Sequence, residues 1–397
     1  MIPRTKPIVI AASTLLDGKG HVLHDTYIQV EGTRIVRTAS GAERADYDLR
    51  GLTVLPGWID AHVHITWSFG ANGKNINQGG TTPEASLAAA SNAWATLMAG
   101  FTTVQSVGSS ADVALRDAIA KGLLPGPRIL TSVEPIMGRG EQTGTPEEIR
   151  ALVRKQKEAG ADLIKIFASG GLRQSGMTMT QEQLNAACDE GRKQGLRTLV
   201  HAFREAVHAA TLAGCTEVEH GLGASDADLQ LMAEKGTYLD PQAGLLLETY
   251  LRNKDRYVAP PYFTEEAFAA MAGLVEPHRE LIRRATHVRG LKIVYGTDAV
   301  AGAHGHNAED FINRVRDCGV DAMSAMVSAN SLNAETMGLG GEIGAIAPGM
   351  QADIIALDGD PLTDITSVRR VVFVMKGGVV YKHAPRGTSD AGSETRP

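Results

Sequence analysis

Four segments of this sequence end a short apolar run with histidine or aspartate, the residue types that bind divalent metals. The clearest is Asp60-Ala61-His62-Val63-His64, in which two histidines are two residues apart. On a β-strand, residues i and i+2 face the same side, so both imidazoles can bind one cation. Alone, this spacing is equally compatible with two ordinary core or surface histidines.

Three more run ends repeat the pattern, at Val200-His201, Glu219-His220-Gly221 and Gly296-Thr297-Asp298. A lone histidine on an apolar strand is more often a structural core residue than a ligand. Four unrelated strands, however, would rarely all end in this way. Together they predict a nitrogen and oxygen site suited to zinc, manganese, cobalt or iron rather than calcium.

Lys165 interrupts another apolar run, Leu163-Ile164-Lys165-Ile166-Phe167. A buried lysine is costly unless it is neutralised or paired, so a strand-end lysine that reaches solvent and an ion pair with Asp162 are the simple alternatives. A desolvated neutral amine can instead react with carbon dioxide to give a carbamate, whose two oxygens can bridge two metals. Lys165 therefore favours a site for two divalent cations.

The segments between these residues alternate short β-rich runs with longer helical patterns, which is typical of parallel strands joined by helices. Helices are predicted, for example, over 145–159 and 181–194. Eight strands are predicted, at 57–65, 102–107, 128–133, 163–168, 197–202, 217–221, 237–241 and 292–297. Eight such units predict an α/β fold of the (β/α)₈ TIM-barrel type, in which catalytic groups lie at the carboxyl ends of the strands.

Both ends of the chain are instead rich in short β-like runs separated by turn signals, such as Asp17-Gly18 and Gly377-Gly378. We expect residues 1–55 and 345–384 to pair into one small β-sandwich domain, while 56–344 form the barrel. Residues 385–397, rich in Ser, Gly, Thr and Pro, predict a disordered tail.

Composition excludes some classes of function. The formal charge is −6 and the basic residues are scattered, so no nucleic-acid-binding surface is expected. No apolar run reaches the roughly 18 residues that span a bilayer, and no signal peptide is evident, which favours a cytoplasmic protein without membrane contact. The three cysteines, Cys188, Cys215 and Cys318, are far apart without CxxC spacing, which argues against a disulfide framework or a thiolate zinc site.

The sequence resembles the amidohydrolase superfamily in four segments. Residues 55–64 resemble its opening motif, 161–166 its carbamylated-lysine strand, 295–298 its final ligand and 344–354 its closing signature.

The resemblance implies a metal-dependent hydrolase of amide or peptide bonds with two divalent ions, zinc being the expected metal. His62, His64 and Asp298 would hold the more buried ion, and His201 and His220 the more exposed one. N6-carboxylysine at Lys165 and a water or hydroxide would bridge them. The bridging hydroxide would attack the amide carbonyl, and catalytic Asp298 would pass its proton to the leaving nitrogen.

Segments 167–171 and 304–309 resemble the branch related to imidazolonepropionase, with Xaa-Pro and Xaa-Arg dipeptidases and ochratoxin-degrading amidohydrolases. This implies a homo-oligomer and an N-acyl amino acid, dipeptide or ochratoxin A-like substrate with a free carboxylate. Candidate substrate-binding residues are Arg139, Arg173, Tyr250 and His304. The chain departs from the branch at Met137-Gly138-Arg139-Gly140, where relatives often have Gly-Gly-His.

Three alternatives share the predicted fold. Cyclic amide hydrolysis, of the hydantoinase or dihydroorotase kind, can use the same six ligands. Deaminase relatives usually lack the carbamylated lysine, so Lys165 weighs against deamination. A non-catalytic scaffold would be expected to have lost ligands, and all six are present. The loop 67–82 is interpreted as a lid, an aromatic wall for the acyl group, or a plain surface loop.

Overall fold

The computed structural model describes residues 6–41, 44–70, 72–76, 82–170, 176–257 and 263–384 of the 397-residue chain. Its strands are β1 (Ile8–Leu16), β2 (Val22–Glu31), β3 (Arg34–Ser40), β4 (Tyr47–Asp48), β5 (Thr53–Pro56), β6 (Trp58–Val63), β7 (Ser68–Phe69), β8 (Asn75–Ile76), β9 (Phe101–Ser106), β10 (Arg128–Thr131), β11 (Ile136–Met137), β12 (Leu163–Phe167), β13 (Arg197–Ala202), β14 (Glu217–His220), β15 (Tyr238–Asp240), β16 (Ile354–Leu357), β17 (Val371–Lys376) and β18 (Val379–His383). The predicted tail, 385–397, lies outside the described residues.

Helices cover most of the intervening chain. They are α1 (Pro83–Met98), α2 (Ala111–Ala120), α3 (Pro146–Glu158), α4 (Gln181–Lys193), α5 (Glu205–Leu212), α6 (Asp226–Lys235), α7 (Leu245–Arg252), α8 (Lys254–Tyr257), α9 (Glu265–Ala272), α10 (Val275–Thr286), α11 (Glu309–Arg316), α12 (Ala322–Val327) and α13 (Asn333–Thr336), with a π-helical turn at Ser328–Leu332 and a 3₁₀ turn at Ile365–Arg369. None of the described helices is long and apolar enough to cross a membrane.

Local sequence explains where the two predicted helices begin. Thr145 caps α3 and Thr180 caps α4. Each hydroxyl accepts from the N–H three residues on, and the side chain of Glu148 or Gln183 at that position bonds back to the cap. These capping boxes satisfy backbone groups that a helix end leaves free. Both predicted helices are confirmed.

The two ends of the chain share one eight-stranded sheet, which we call the terminal sheet. Its strand order is β18-β17-β16-β5-β1-β2-β3, with β4 paired to β1. The antiparallel pair β5–β16 joins the N-terminal strands to the C-terminal ones. An apolar core that includes Ile28 and Phe373 lies against this sheet. The predicted pairing of the two ends is present, while the division into a sandwich and a barrel domain stays a prediction.

The middle of the chain forms two parallel sheets, ordered β10-β9-β6 and β11-β12-β13-β14-β15. A hydrogen bond of 2.8 Å from Asp162 N to Thr131 O links the segment before β12 to β10. The first seven predicted strands each overlap one of these strands, and helices separate most of them. The α/β class is confirmed. The parallel arrangement places the carboxyl ends of the strands together.

The eighth predicted strand, 292–297, is not a regular strand. It makes an isolated parallel bridge from Ile293 to β15, and Ala299 makes another to β6, so the segment lies between the two sheets. The side chain of Asn333 bonds both the N–H and the C=O of Tyr295, at 3.0 and 2.7 Å. The segment still makes backbone hydrogen bonds to both sheets, from Ala61 N to Tyr295 O and from Val294 N to Leu239 O, each of 2.9 Å. Closure into eight strands stays a prediction.

One expectation from the sequence was wrong. Cys188 on α4 and Cys215, just before β14, form a disulfide with their Cα atoms 5.1 Å apart. Spacing along the chain did not reveal this pair because the fold brings the two segments together across 27 residues. Both sulfurs are buried, and Cys318 is a buried free thiol, as expected of a small apolar residue.

Candidate active site

Asp60 fixes the strand that carries the two spaced histidines. One of its carboxylate oxygens accepts the backbone N–H groups of His62 and Thr297, at 3.1 and 3.0 Å. The other accepts the hydroxyl of Thr297 and the amide of Asn307, at 2.6 and 2.7 Å. Burial raises the pKa of Asp60 to about 7 although these bonds oppose the shift. Because Thr297 precedes Asp298, this network holds the end of β6 beside Asp298.

His62, His64 and Asp298 converge on one point. The Nε2 atom of His62 lies 3.3 Å from Asp298 Oδ1, and that of His64 lies 3.1 Å from the same oxygen. Ligand atoms held about 2.1 Å from a tetrahedral zinc ion are roughly 3.3 Å apart, so the spacing fits a shared cation. Asp298 Oδ1 has no hydrogen-bond partner among the described residues despite its burial. These residues fit a metal.

His201 and His220 stand beside this group. Their rings pack edge to face with centroids 4.6 Å apart, and the ring of His220 lies 5.5 Å from that of His62. His220 Nδ1 is 2.6 Å from the amide oxygen of Gln242. An oxygen only accepts, so Nδ1 carries the proton and the lone pair of Nε2 remains for a ligand. Atoms of His62, His220 and Asp298 lie within 4.8 Å of one another.

Two of the predicted ligands have a left-handed backbone. The φ angle is 65° at His220 and 51° at Asp298, a region that side chains other than glycine rarely adopt. Such conformations cost free energy and concentrate at functional sites. Both residues lie at the ends of their segments, where the left-handed turn redirects the backbone out of the extended conformation.

Lys165 lies in the same buried group and is 1% exposed. Its Nζ contacts the carboxylate of Glu219. Burial lowers the pKa of Lys165 to about 7, although the charges of Asp298, Asp240 and Glu217 oppose this. A large share of the amine is therefore neutral near pH 7, which is the form that reacts with carbon dioxide.

The neighbouring imidazoles are neutral as well. Burial, assisted by the positive charge of Lys165, lowers the pKa of His62 well below its usual value and that of His201 to about 3. Burial also lowers the pKa of His220, with His201 adding to the shift. Neutral imidazoles keep a lone pair for metal binding at neutral pH. Burial raises the pKa of Asp298, but its contact with His64 and nearby charges lower it below its ordinary value.

The residues suggested for substrate binding have different surroundings. Arg139 is exposed after β11, and Arg173 lies outside the described residues. Tyr250 stands at the edge of an aromatic cluster, with its ring centroid 4.7 Å from that of Tyr257. Burial and the charge of Asp298 raise the pKa of Tyr250, so its hydroxyl stays protonated and can donate. Tyr250 thus offers a protonated hydroxyl as a hydrogen-bond donor.

His304 holds a loop in place. Its Nε2 lies 3.2 Å from the carbonyl oxygen of Trp67, to which it must donate. Burial lowers the pKa of His304 to about 4, so the ring is neutral and not a cation for a carboxylate. Trp67 in turn stacks on His64, with centroids 4.0 Å apart and planes 20° apart. His304 therefore supports the wall of the site.

The loop after β6 has the character of an aromatic wall. Phe69 packs edge to face on Tyr257, and the guanidinium of Arg256 lies 3.5 Å above the centre of the Phe69 ring. Lys74 donates to the carbonyl of Asp255 at 2.7 Å, which ties the loop to α8. The described part of the loop is thus docked on the insertion between β15 and Asp298. Residues 71 and 77–81 lie outside the described residues.

Sequence reasoning missed three polar residues beneath the ligands: Glu219, Asp240 and Gln242. His62 Nδ1 is 3.3 Å from Glu219 Oε1 and 3.6 Å from Asp240 Oδ2. A signal existed, because Glu217 and Glu219 alternate in a strand that should be buried, and buried carboxylates need partners. For Gln242 the sequence gave no comparable signal.

Comparison with known proteins gives a consistent result. A profile of the amidohydrolase family matches residues 53–381. Ochratoxinase from Aspergillus niger is 27% identical over 95% of this chain and 87% of its own length. The solved structure of a Xaa-Pro dipeptidase with bound methionine superposes with a TM-score of 0.85, at 30% identity over 95% of this chain and 100% of that one. A prolidase complexed with N-methylphosphonate-L-proline gives 0.84, at 27% identity and the same coverage.

Proposed function

Because the chain belongs to the amidohydrolase family and is a hydrolase of amide or peptide bonds, we propose that it uses two divalent cations to cleave an amide beside a free carboxylate. The substrate class is an N-acyl amino acid, a dipeptide or an ochratoxin A-like amide. The observation that carries the proposal is the convergence of His62 and His64 on Asp298 Oδ1, at 3.3 and 3.1 Å. The nearby pair His201 and His220 supplies further neutral ligands.

Each residue of the site has a proposed task. His62, His64 and Asp298 would hold the more buried cation, His201 and His220 the more exposed one, and carbamylated Lys165 would bridge them. The donor set of imidazole nitrogens and carboxylate oxygens suits zinc. When bound, the cations supply a water that ionises near neutral pH and polarise the amide carbonyl.

The chain's own groups would then move the proton and orient the substrate. Asp298 would take the proton of the attacking water and deliver it to the leaving nitrogen. The hydroxyl of Tyr250 would donate to the substrate. Trp67 and Phe69 form an apolar wall that suits a hydrophobic acyl group. Recognition of the carboxylate by Arg139 or Arg173 stays a prediction from the sequence.

The test combines metal content with paired substrates. Elemental analysis of the purified chain is expected to give about two metals per chain. Hydrolysis is then measured on N-acyl amino acids, Xaa-Pro and Xaa-Arg dipeptides, ochratoxin A and hydantoins. Each acyl amino acid is compared with its C-terminal carboxamide, which keeps the scissile bond and removes the charge.

The outcomes separate the parts of the proposal. Faster cleavage of the free acids than of their carboxamides supports carboxylate recognition, and equal rates would contradict it. Turnover confined to hydantoins would replace the proposal with cyclic amide hydrolysis. A metal content near one or zero in the active enzyme would contradict the role of Lys165 as a bridge.

A further inference from the structure

Glu219 is a fully buried carboxylate that faces two of the predicted metal ligands at once. Its Oε1 lies 3.3 Å from His62 Nδ1, and its Oε2 contacts Lys165 Nζ. Beyond these ion-pair contacts, neither oxygen has a hydrogen-bond partner among the described residues. A buried carboxylate without other partners is costly. Its two oxygens thus have only His62 and Lys165 to compensate for burial.

We propose that Glu219 is a positioning residue that holds His62 through one oxygen and carbamylated Lys165 through the other. This inference rests on the proposed function. On the His62 side, an oxygen beside Nδ1 accepts a proton donated by that nitrogen. The lone pair of Nε2 then faces Asp298 and the cation. A carboxylate in this position also raises the basicity of the imidazole ligand.

On the Lys165 side, formation of the carbamate leaves one N–H group on the nitrogen, and this group can donate to Glu219. The lone pair of the neutral amine forms a bond to the carbon of carbon dioxide, and one C=O electron pair moves onto oxygen. The nitrogen releases one proton to solvent and keeps one hydrogen. The product carries one negative charge on its oxygens, which face the cations, and its remaining N–H donates to Glu219 Oε2.

The neighbouring acids do not share this arrangement. Asp240 Oδ2 is farther from His62 Nδ1, at 3.6 Å, and no ion-pair contact joins Asp240 to Lys165. Glu217 is equally buried on the same strand, but its Oε2 accepts the hydroxyl of Thr336 at 3.0 Å. His220 is held by the neutral amide of Gln242. Among these acids, Glu219 is thus the one that contacts both His62 and Lys165.

The test compares Glu219→Gln with Glu217→Gln as the matched control. Glutamine keeps the size of glutamate but offers one acceptor oxygen, so its NH₂ group faces one of the two N–H donors. Metal dissociation constants are measured by competition with a chromogenic chelator. The carbamate is measured by ¹³C NMR after incubation with ¹³C-bicarbonate. Neither readout requires turnover.

We expect metal binding in Glu219→Gln to weaken about 10- to 100-fold, as for other lost partners of metal ligands. Its carbamate signal should require more bicarbonate, whereas Glu217→Gln should match the wild type in metal affinity. Glu219→Asp keeps two acceptors and should recover part of both signals. A loss in the Asp variant with none in the Gln variant would overturn the inference, since packing volume and not two acceptors would then matter.

Failure of this inference is distinguishable from failure of the proposed function. If the wild type holds two metals and the carbamate, and Glu219→Gln holds them as tightly, only the role of Glu219 is overturned. If the wild type itself shows neither metal nor carbamate, the proposed function falls and the role of Glu219 falls with it.

Discussion

Buried polar groups differ between two regions: the cluster around the predicted metal ligands, which we call the mouth of the parallel sheets, and the terminal sheet. At the mouth, side-chain atoms of His62, Glu219 and Asp298 are buried without hydrogen-bond partners. In the terminal sheet, none of the described strands contributes such an atom, and the core around Ile28 and Phe373 is apolar. Unpaired buried polar atoms reduce stability unless a ligand pairs them. Stability is therefore concentrated in one region and chemistry in the other.

The backbone shows the same contrast. His220 and Asp298 adopt left-handed conformations at the mouth, whereas in the described strands of the terminal sheet Asp25, in β2, is the one residue with φ in this range. Substitutions at the mouth should thus change turnover more than folding, and substitutions in the terminal sheet should do the reverse. Four variants test this division, beginning with the largest expected effect.

Lys165→Ala should lower kcat/KM by on the order of 10⁴-fold, because both cations lose their bridge. Short-chain carboxylic acids added to the assay should restore part of the rate by occupying the place of the carbamate. Hydrolysis rates and metal content are measured with and without such acids. Full activity without rescue would remove Lys165 from the site.

Asp298→Asn should lower kcat by about 10³-fold, since an amide cannot accept the proton of the attacking water. Asparagine tolerates the left-handed conformation better than most residues, so the fold should be retained. Steady-state rates and circular dichroism measure the two effects separately. Turnover close to that of the wild type would exclude Asp298 as the proton carrier.

Phe373→Ala tests the contribution of the terminal sheet to stability. Phe373 is fully buried in the terminal sheet and packs against Tyr47 with ring centroids 5.5 Å apart. Truncation should reduce the free energy of unfolding by about 3 kcal/mol or more through lost burial and a cavity. Denaturant unfolding measures this change, while kcat per folded molecule should stay the same. A fall in kcat with unchanged stability would contradict the division of roles.

Lys376 is a partly buried charged residue at the end of β17 in the terminal sheet, and its Nζ donates to the carbonyl of Gly126. Burial lowers the pKa of Lys376 to about 8 from 10.5. The folded state thus disfavours the charged form, so stability should rise as pH increases from about 8 to 10.5, by about 3 kcal/mol at most. Thermal unfolding across this range should show the rise, and Lys376→Met should flatten it. An identical profile in both proteins would assign the rise to other groups.

The sequence predicted the six candidate ligands because each follows from local spacing and strand ends. Spacing by two residues places His62 and His64 together beside Asp298. Lys165, His201 and His220 lie on neighbouring parallel strands. The α/β class followed from the alternation of apolar runs and helical patterns. These features depend on contacts near in sequence or on a regular topology.

What the sequence did not reveal depends on contacts between distant side chains. Asn333 bonds the backbone of the eighth predicted strand from 38 residues away. Gln242 fixes the tautomer of His220, and no periodicity marks it. The disulfide between Cys188 and Cys215 depends on how α4 packs beside the start of β14. Each of these is set by tertiary packing, which single-sequence patterns do not encode.

The disulfide has a consequence for how the protein is handled. It closes a loop of chain that contains β13 with His201, and His220 follows Cys215 by five residues. Glutathione and thioredoxin keep most cytosolic thiols reduced, so a chain expressed in that compartment would have this loop open. Production in the periplasm, or in a strain with an oxidising cytosol, would close it. The redox history of a preparation is therefore a variable to record together with its metal content.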